Sequence, residues 1–178
     1  MRYSSIRKMD ISNGEGVGVS LFVQGCHFHC YNCFNQETWD FKGGKAWTDQ
    51  TKELFFNLIN KKYITRISIL GGEPLAYENL LDVYDIVKKI KDEFPDKKIW
   101  LWTGNELSIN DFDSSVNVGW DNGLLKNHIL CLCDYVIDGR YMNDLRDLTL
   151  LFRGSSNQRI IDVKETIKQG NIVLWEEE

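Results

Sequence analysis

Cys26, Cys30 and Cys33 fall within eight residues of one another in Cys26-His27-Phe28-His29-Cys30-Tyr31-Asn32-Cys33, a C-x3-C-x2-C spacing. Thiolates are metal ligands, and three on one short loop can hold three irons of a four-iron cubane. The fourth iron is then open to bind and activate a ligand, whereas a ferredoxin that only transfers electrons supplies a fourth cysteine. Zinc is one alternative, since His27 or His29 can complete a Cys3His tetrahedron, although zinc ligands usually arrive as two separated pairs. A chance cluster is the other. Cys131 and Cys133 alternate in Ile129-Leu130-Cys131-Leu132-Cys133, which reads as the approach to a strand. The default there is packing as small apolar side chains.

A second motif, Gly71-Gly72-Glu73-Pro74, follows the apolar run Ile64 to Leu70. Glycines let a backbone come close to a ligand, and carbonyls or the Glu73 carboxylate can accept from an ammonium group; alone, the motif is equally a tight turn. Thr103 and the stretch Asp138-Gly139-Arg140 stand just past other apolar runs. Arg140 can pair with a ligand carboxylate there, or form an ordinary surface ion pair. Arg153-Gly154-Ser155-Ser156-Asn157-Gln158-Arg159 is either a surface turn or a functional loop that contacts a partner or supports a barrel end.

These motifs need elements to carry them. Val17 to Val23 predicts a first strand, entered through Asn13-Gly14-Glu15-Gly16 and followed at once by the cysteine loop. Leu54, Phe55, Leu58 and Ile59 form an apolar stripe that predicts a helix from Asp49 to Lys61, with Thr48 or Asp49 as N-cap. Ile64 to Leu70 is a second strand. Leu80, Val83, Tyr84, Val87, Ile90 and Phe94 predict a helix from Asn79 that Pro95 stops. Lys98 to Trp102 and Tyr135 to Ile137 are further strands, and Gln158 to Trp175 reads as strand, helix, strand. Such alternation implies an α/β fold with a mostly parallel, curved sheet, and ligands bind beyond the carboxyl ends of its strands. The chain is too short for eight βα units, so an incomplete TIM-type barrel is expected. Positions 105–128 are polar and weakly patterned and read as a loop or insertion within one domain spanning 1–178.

Composition sets limits. A chain of 178 residues with 43% hydrophobic and 26% charged residues can bury a core without disulfides. The N-terminal stretch has no apolar segment of signal-peptide length, and no apolar run reaches the roughly 18 residues of a membrane span, so a cytoplasmic, membrane-free protein is expected. In that reducing compartment five cysteines point to metal or redox chemistry. A net charge of -5 argues against direct nucleic-acid binding.

The cysteine loop after a first strand, with GGEP after a later one, resembles the radical S-adenosylmethionine superfamily. The resemblance implies a [4Fe-4S] cluster on Cys26, Cys30 and Cys33, with S-adenosyl-L-methionine chelating the open iron through its methionine end and meeting the backbone of Gly71, Gly72 and Glu73. The residue before the third cysteine is usually aromatic in that superfamily and lies against the adenine; here it is Asn32, so the adenine contact is assigned to Asn32, Cys33 and Phe34 together. Thr103 is a further strand-end contact, and Arg140 a partner for the methionine carboxylate. Cys33-Phe34-Asn35-Gln36-Glu37-Thr38-Trp39 and the Asn13–Gly16 loop are similar to the activases of glycyl radical enzymes. Trp100 to Gly104, Val136 to Arg140 and Arg153 to Arg159 are similar to the group acting on anaerobic ribonucleoside-triphosphate reductase.

The resemblance thus implies an oxidoreductase in which a reduced cluster cleaves the sulfonium to methionine and a 5'-deoxyadenosyl radical, which takes hydrogen from a glycine Cα of the reductase. Sulfonium cleavage demands a low potential, so an external donor such as reduced flavodoxin is expected. No general acid or base is assigned. The alternatives are an activase for another glycyl radical enzyme, such as pyruvate formate-lyase, and a non-catalytic zinc or iron-sulfur binding module.

Overall fold

A computed structural model describes residues 1–113 and 122–176. In chain order its strands are β1 (Arg2–Asp10), β2 (Gly18–Val23), β3 (Lys45–Ala46), β4 (Arg66–Gly71), β5 (Lys98–Trp102), β6 (Tyr135–Asp138) and β7 (Arg159–Asp162). The helices are α1 (Asp49–Ile59), α2 (Leu80–Glu93), α3 (Asn122–Leu132) and α4 (Val163–Gln169). All seven strands form one sheet in the order β3-β1-β2-β4-β5-β6-β7. Its centre, β2-β4-β5-β6, is parallel, as the alternation of strands and helices requires. Antiparallel strands complete it, β1 and β3 on one side and β7 on the other.

The period of two along each central strand divides the sheet into unlike faces. Val19, Leu21, Val23, Ile67, Ile69, Ile99, Leu101 and Val136 lie in one buried cluster with Phe55 and Ile59 of α1, Val83, Val87 and Ile90 of α2, and Ile129 and Leu130 of α3. The intervening positions hold a separate aromatic cluster, in which Trp100, Ile137 and Ile160 pack with Trp102, Tyr135, Phe152 and Trp175. The same sequence positions place Phe22 and Leu70 opposite the helical face. Helix starts follow local chemistry: the Thr48 hydroxyl accepts from Thr51 N at 3.3 Å, and the Asp162 carboxylate accepts from Glu165 N at 2.9 Å. Within α1 Phe56 is buried along with Phe55 and Ile59, while Leu54 of the expected stripe is exposed.

Three expectations change. β1 had no counterpart among the strands expected from the sequence. Asn122–Leu132 is helical where a loop was expected as far as His128, and residues 114–121 of that segment lie outside the described residues. Its buried Leu125 and Ile129 and the following buried Cys133 recur every four residues, so the two cysteines belong to a helix and its exit. Near the C-terminus Leu174 makes only an isolated bridge to Ile161, in place of the expected last strand.

The Asn13–Gly16 loop is held by Arg66 of β4, which is fully buried. Its guanidinium donates to the carbonyls of Asp10, Asn13, Glu15 and Gly16. Gly14 is needed where the chain crosses that side chain, since a Cβ there would stand 2.6 Å from Arg66 Cδ.

Candidate functional site: a thiol-lined cavity at the strand ends

The cysteine loop leaves β2 and is pinned at its root. Gly25 N donates to Thr38 O at 2.7 Å and Cys26 N to Trp39 O at 3.0 Å. The buried Gln24 amide donates to the carbonyls of Glu37 and Asp40, both at 2.9 Å. Inside the loop His29 and Asn32 take left-handed backbone conformations (φ 47 and 53), uncommon for residues with a side chain. His29 stacks on Trp39 at 4.7 Å between ring centroids, and His27 meets Glu78 at 3.2 Å. Burial pushes the Cys26 and Cys30 thiols up, while backbone N–H groups of Phe28 and His29 act against it at Cys26 and that of Tyr141 at Cys30. Asn35 N points at Cys33 Sγ at 3.4 Å. Amide donors of this kind stabilise thiolates and tune metal-bound sulfur. Arg140 adds a positive charge near Cys30.

The GGEP turn is stitched to the root of that loop. Gly72 N donates to Val23 O at 2.9 Å and Glu73 N to Gly25 O at 2.8 Å. A Cβ on Gly72 would fall 2.4 Å from Gly25 O, so only glycine permits this approach. Glu73 is buried, and burial pushes its carboxyl group up. Against this, Oε1 accepts from Leu75 N (2.9 Å) and Thr103 Oγ1 (2.8 Å), and Oε2 from Gly104 N (2.8 Å). Glu73 and Thr103 therefore tie the end of β4 to the end of β5, and Asn79 closes the joint by donating to the carbonyls of Gln24 and Glu73.

These pieces surround one cavity of about 560 Å³ at the carboxyl ends of the parallel strands. Cys26, Cys30, Cys33, Phe34, Gly71, Gly72, Glu73 and Thr103 all line it. Asn32 and Arg140 do not: Asn32 is exposed and donates to Asn143 Oδ1 at 3.3 Å, and the Arg140 guanidinium lies 4.6 Å from the centre of the Phe28 ring. Phe22, Leu70 and Trp102 line the cavity without having been singled out, although the inward half of the strand alternation marks them. Tyr141, Leu148, Leu150 and Phe152 complete a wall that carries no such signal. The Arg153–Arg159 turn supports that wall. Gln158 Oε1 accepts from Gly154 N at 3.0 Å while its Nε2 donates to Gly139 O at 3.0 Å, and Arg159 Nε donates to the buried Asp138 at 3.0 Å.

Cys133 is buried away from this cavity, its Sγ donating to Ile129 O at 3.2 Å, and burial pushes its thiol up. Among the described residues no three His, Cys, Asp or Glu side chains converge closely enough to hold a single ion, and no helix is long and apolar enough to cross a membrane. Three thiols on one cavity wall suit a cubane, whose corners spread its ligands wider than one ion does.

An α/β sheet that delivers a three-thiol loop and a glycine-rich turn to one cavity is the build of a single-cluster iron-sulfur domain, and the family model described as a 4Fe-4S single cluster domain matches residues 12–161. The chain is 34% identical over 160 residues to the anaerobic ribonucleoside-triphosphate reductase-activating protein of Escherichia coli K12, covering 89% of this chain and 96% of that one. It is 35% identical over 162 residues to the protein of the same name from Pasteurella multocida (90% and 96% covered), and 34% identical over 160 residues to that of Enterobacteria phage T4 (90% and 93%). The chain belongs to the family of anaerobic ribonucleoside-triphosphate reductase-activating proteins.

Proposed function

We propose that this chain is a radical S-adenosylmethionine activase that installs a glycyl radical on an anaerobic ribonucleoside-triphosphate reductase. The observation that carries the reading is the convergence of Cys26, Cys30, Cys33 and the GGEP turn on one cavity. Names of relatives matched over most of both chains supply the partner. We take the whole chain as one domain and its sheet as an incomplete TIM-type barrel, open where the cavity lies.

In this reading Cys26, Cys30 and Cys33 hold a [4Fe-4S] cluster. When bound, the cluster supplies one electron, delivered by reduced flavodoxin or a similar donor, that divides S-adenosylmethionine into methionine and the 5'-deoxyadenosyl radical. The chain's own residues bind and shield. Gly71 and Gly72 bring backbone close to the methionine amino group, because Glu73 and Thr103 hold their turn against β5. Phe34 offers a ring face on the cavity wall for the adenine, with Cys33 beside it, while Asn32 supports that loop from outside the lining. Phe22, Leu70, Trp102, Leu148 and Leu150 make much of the remaining lining apolar, which limits ordered water around the reacting groups.

The test is anaerobic reconstitution with iron and sulfide followed by S-adenosylmethionine and dithionite. The expected results are 5'-deoxyadenosine and, with the reductase present, a glycyl radical signal in electron paramagnetic resonance. Cys30→Ala is expected to abolish both and Cys131→Ala to retain them. Protein that binds zinc but no iron and forms no 5'-deoxyadenosine overturns the reading, and radical formation on pyruvate formate-lyase alone overturns the choice of partner.

A further inference from the structure

Arg153 lines the cavity at the start of the Arg153–Arg159 turn. Its Nη1 donates to the carbonyl of Gln158 at 3.0 Å, which anchors one side of the guanidinium. Its Nε is buried with no hydrogen-bond partner, and among the described residues no carboxylate lies within ion-pair distance of it. A buried donor on a charged group left unpaired is costly, and folded proteins rarely leave one without a water, an ion or a ligand to complete it.

The neighbouring arginines are engaged. Arg159 holds Asp138, Arg140 lies over Phe28, and Arg146 lies over Phe34. Arg7, which also lines the cavity, has its guanidinium 4.5 Å from the centre of the Phe22 ring. Arg153 is left with Nε and Nη2, the edge of a guanidinium that matches a carboxylate with two parallel N–H bonds. S-adenosylmethionine carries a single anionic group, the carboxylate of its methionine end.

Resting on the proposed function, we infer that Arg153 is the residue that receives this carboxylate. The Arg153–Arg159 turn then serves the ligand directly, because the Gln158 side chain fixes the backbone of residues 154 and 155 while its carbonyl holds the guanidinium at the cavity wall. Arg140 is a neighbour that contributes charge near Cys30 without joining the lining.

Binding of two stable analogues to the cluster-loaded protein tests this, measured by anaerobic calorimetry. S-adenosylhomocysteine keeps the amino-acid end, and 5'-methylthioadenosine lacks it. Arg153→Gln is expected to weaken S-adenosylhomocysteine roughly 10- to 100-fold, the usual range for a lost charged hydrogen bond, and to leave 5'-methylthioadenosine unchanged. Arg153→Lys, which keeps the charge but not the fork, is expected to lose less. An equal loss for both analogues in Arg153→Lys, or a selective loss in Arg140→Gln and none in Arg153→Gln, overturns the assignment. Wild-type protein that binds 5'-methylthioadenosine but not S-adenosylhomocysteine also overturns it. Wild-type protein that binds neither analogue overturns the S-adenosylmethionine reading, and the assignment with it.

Discussion

Both oxygens of Glu73 are engaged by protein donors, so what the GGEP turn offers a ligand is backbone, and the carboxylate acts as the fastener that sets the turn in place. The close contact between Gly72 and Gly25 makes the turn and the root of the cysteine loop one unit. Gly72→Ala places a methyl group 2.4 Å from a backbone oxygen, which no rotamer can relieve. The expected cost is about 1–3 kcal/mol of stability, the usual range for overpacking, together with a lower iron content after reconstitution. Urea unfolding and iron analysis check this; wild-type values for both would show that the two segments are not packed as described. The residues that motif spacing marks are those whose backbone or thiol lines the cavity. Asn32 was marked by its place before the third cysteine and Arg140 by its place past a strand end, and a left-handed turn at Asn32 and a ring contact at Arg140 keep both off the lining.

Elements with one buried face and clear end signals were legible in the sequence. For α2, Asn79, the recurring Val83, Val87 and Ile90, and Pro95 place both ends within a residue or so of the observed Leu80–Glu93. β1 was not legible because Arg7, Lys8 and Met9 are consecutively exposed and its pairing to β2 is interrupted twice, so no alternation survives. α3 was hidden because Gly123, a poor helix former, stands in its first turn, and the half-buried Leu124 and Leu132 spread its apolar positions beyond one stripe. What β1 contributes shows at its end, where Asp10 ties the strand to the entry loop. Asp10 is buried, which pushes its carboxyl group up, but Ser20 (2.5 Å), Asn13 (2.6 Å), the amide of Ser12 (2.7 Å) and the charge of Arg66 outweigh this and hold it below the ordinary carboxylate value of 3.8. A native value below the unfolded one adds stability that is present above that value and is lost as pH falls through the lowered native one. Asp10→Asn is therefore expected to cost about 1–3 kcal/mol at pH 7, with the gap from wild type narrowing as pH drops below 3.8. Urea titrations across that range check it, and a gap that stays constant with pH would assign the loss to shape rather than charge.

At the scale of the molecule, the helical face of the sheet is sealed by one continuous core, while the opposite face is filled by the Trp100 cluster and opens into the cavity at its carboxyl end. The wall of that cavity comes from segments far apart in sequence: the cysteine loop, the β4 and β5 ends, and the stretch from Tyr141 to Gln158. The wall segments also touch one another directly, through Phe34 against Tyr141 with ring centroids 5.0 Å apart and through Asn32 and Asn143. Occupying the cavity should therefore stabilise all of these segments together, because a ligand that binds only the folded arrangement raises the free energy of every opening that breaks it. Hydrogen exchange before and after cluster loading tests this coupling. Slower exchange is expected in the cysteine loop, in the GGEP turn and between Tyr141 and Gln158, with α1 and α4 unchanged, since neither contributes a residue to the lining. Protection confined to the cysteine loop would show that loading orders that loop without closing the wall. Protection extending evenly into α1 would show that loading stabilises the whole chain and not the openings around this cavity.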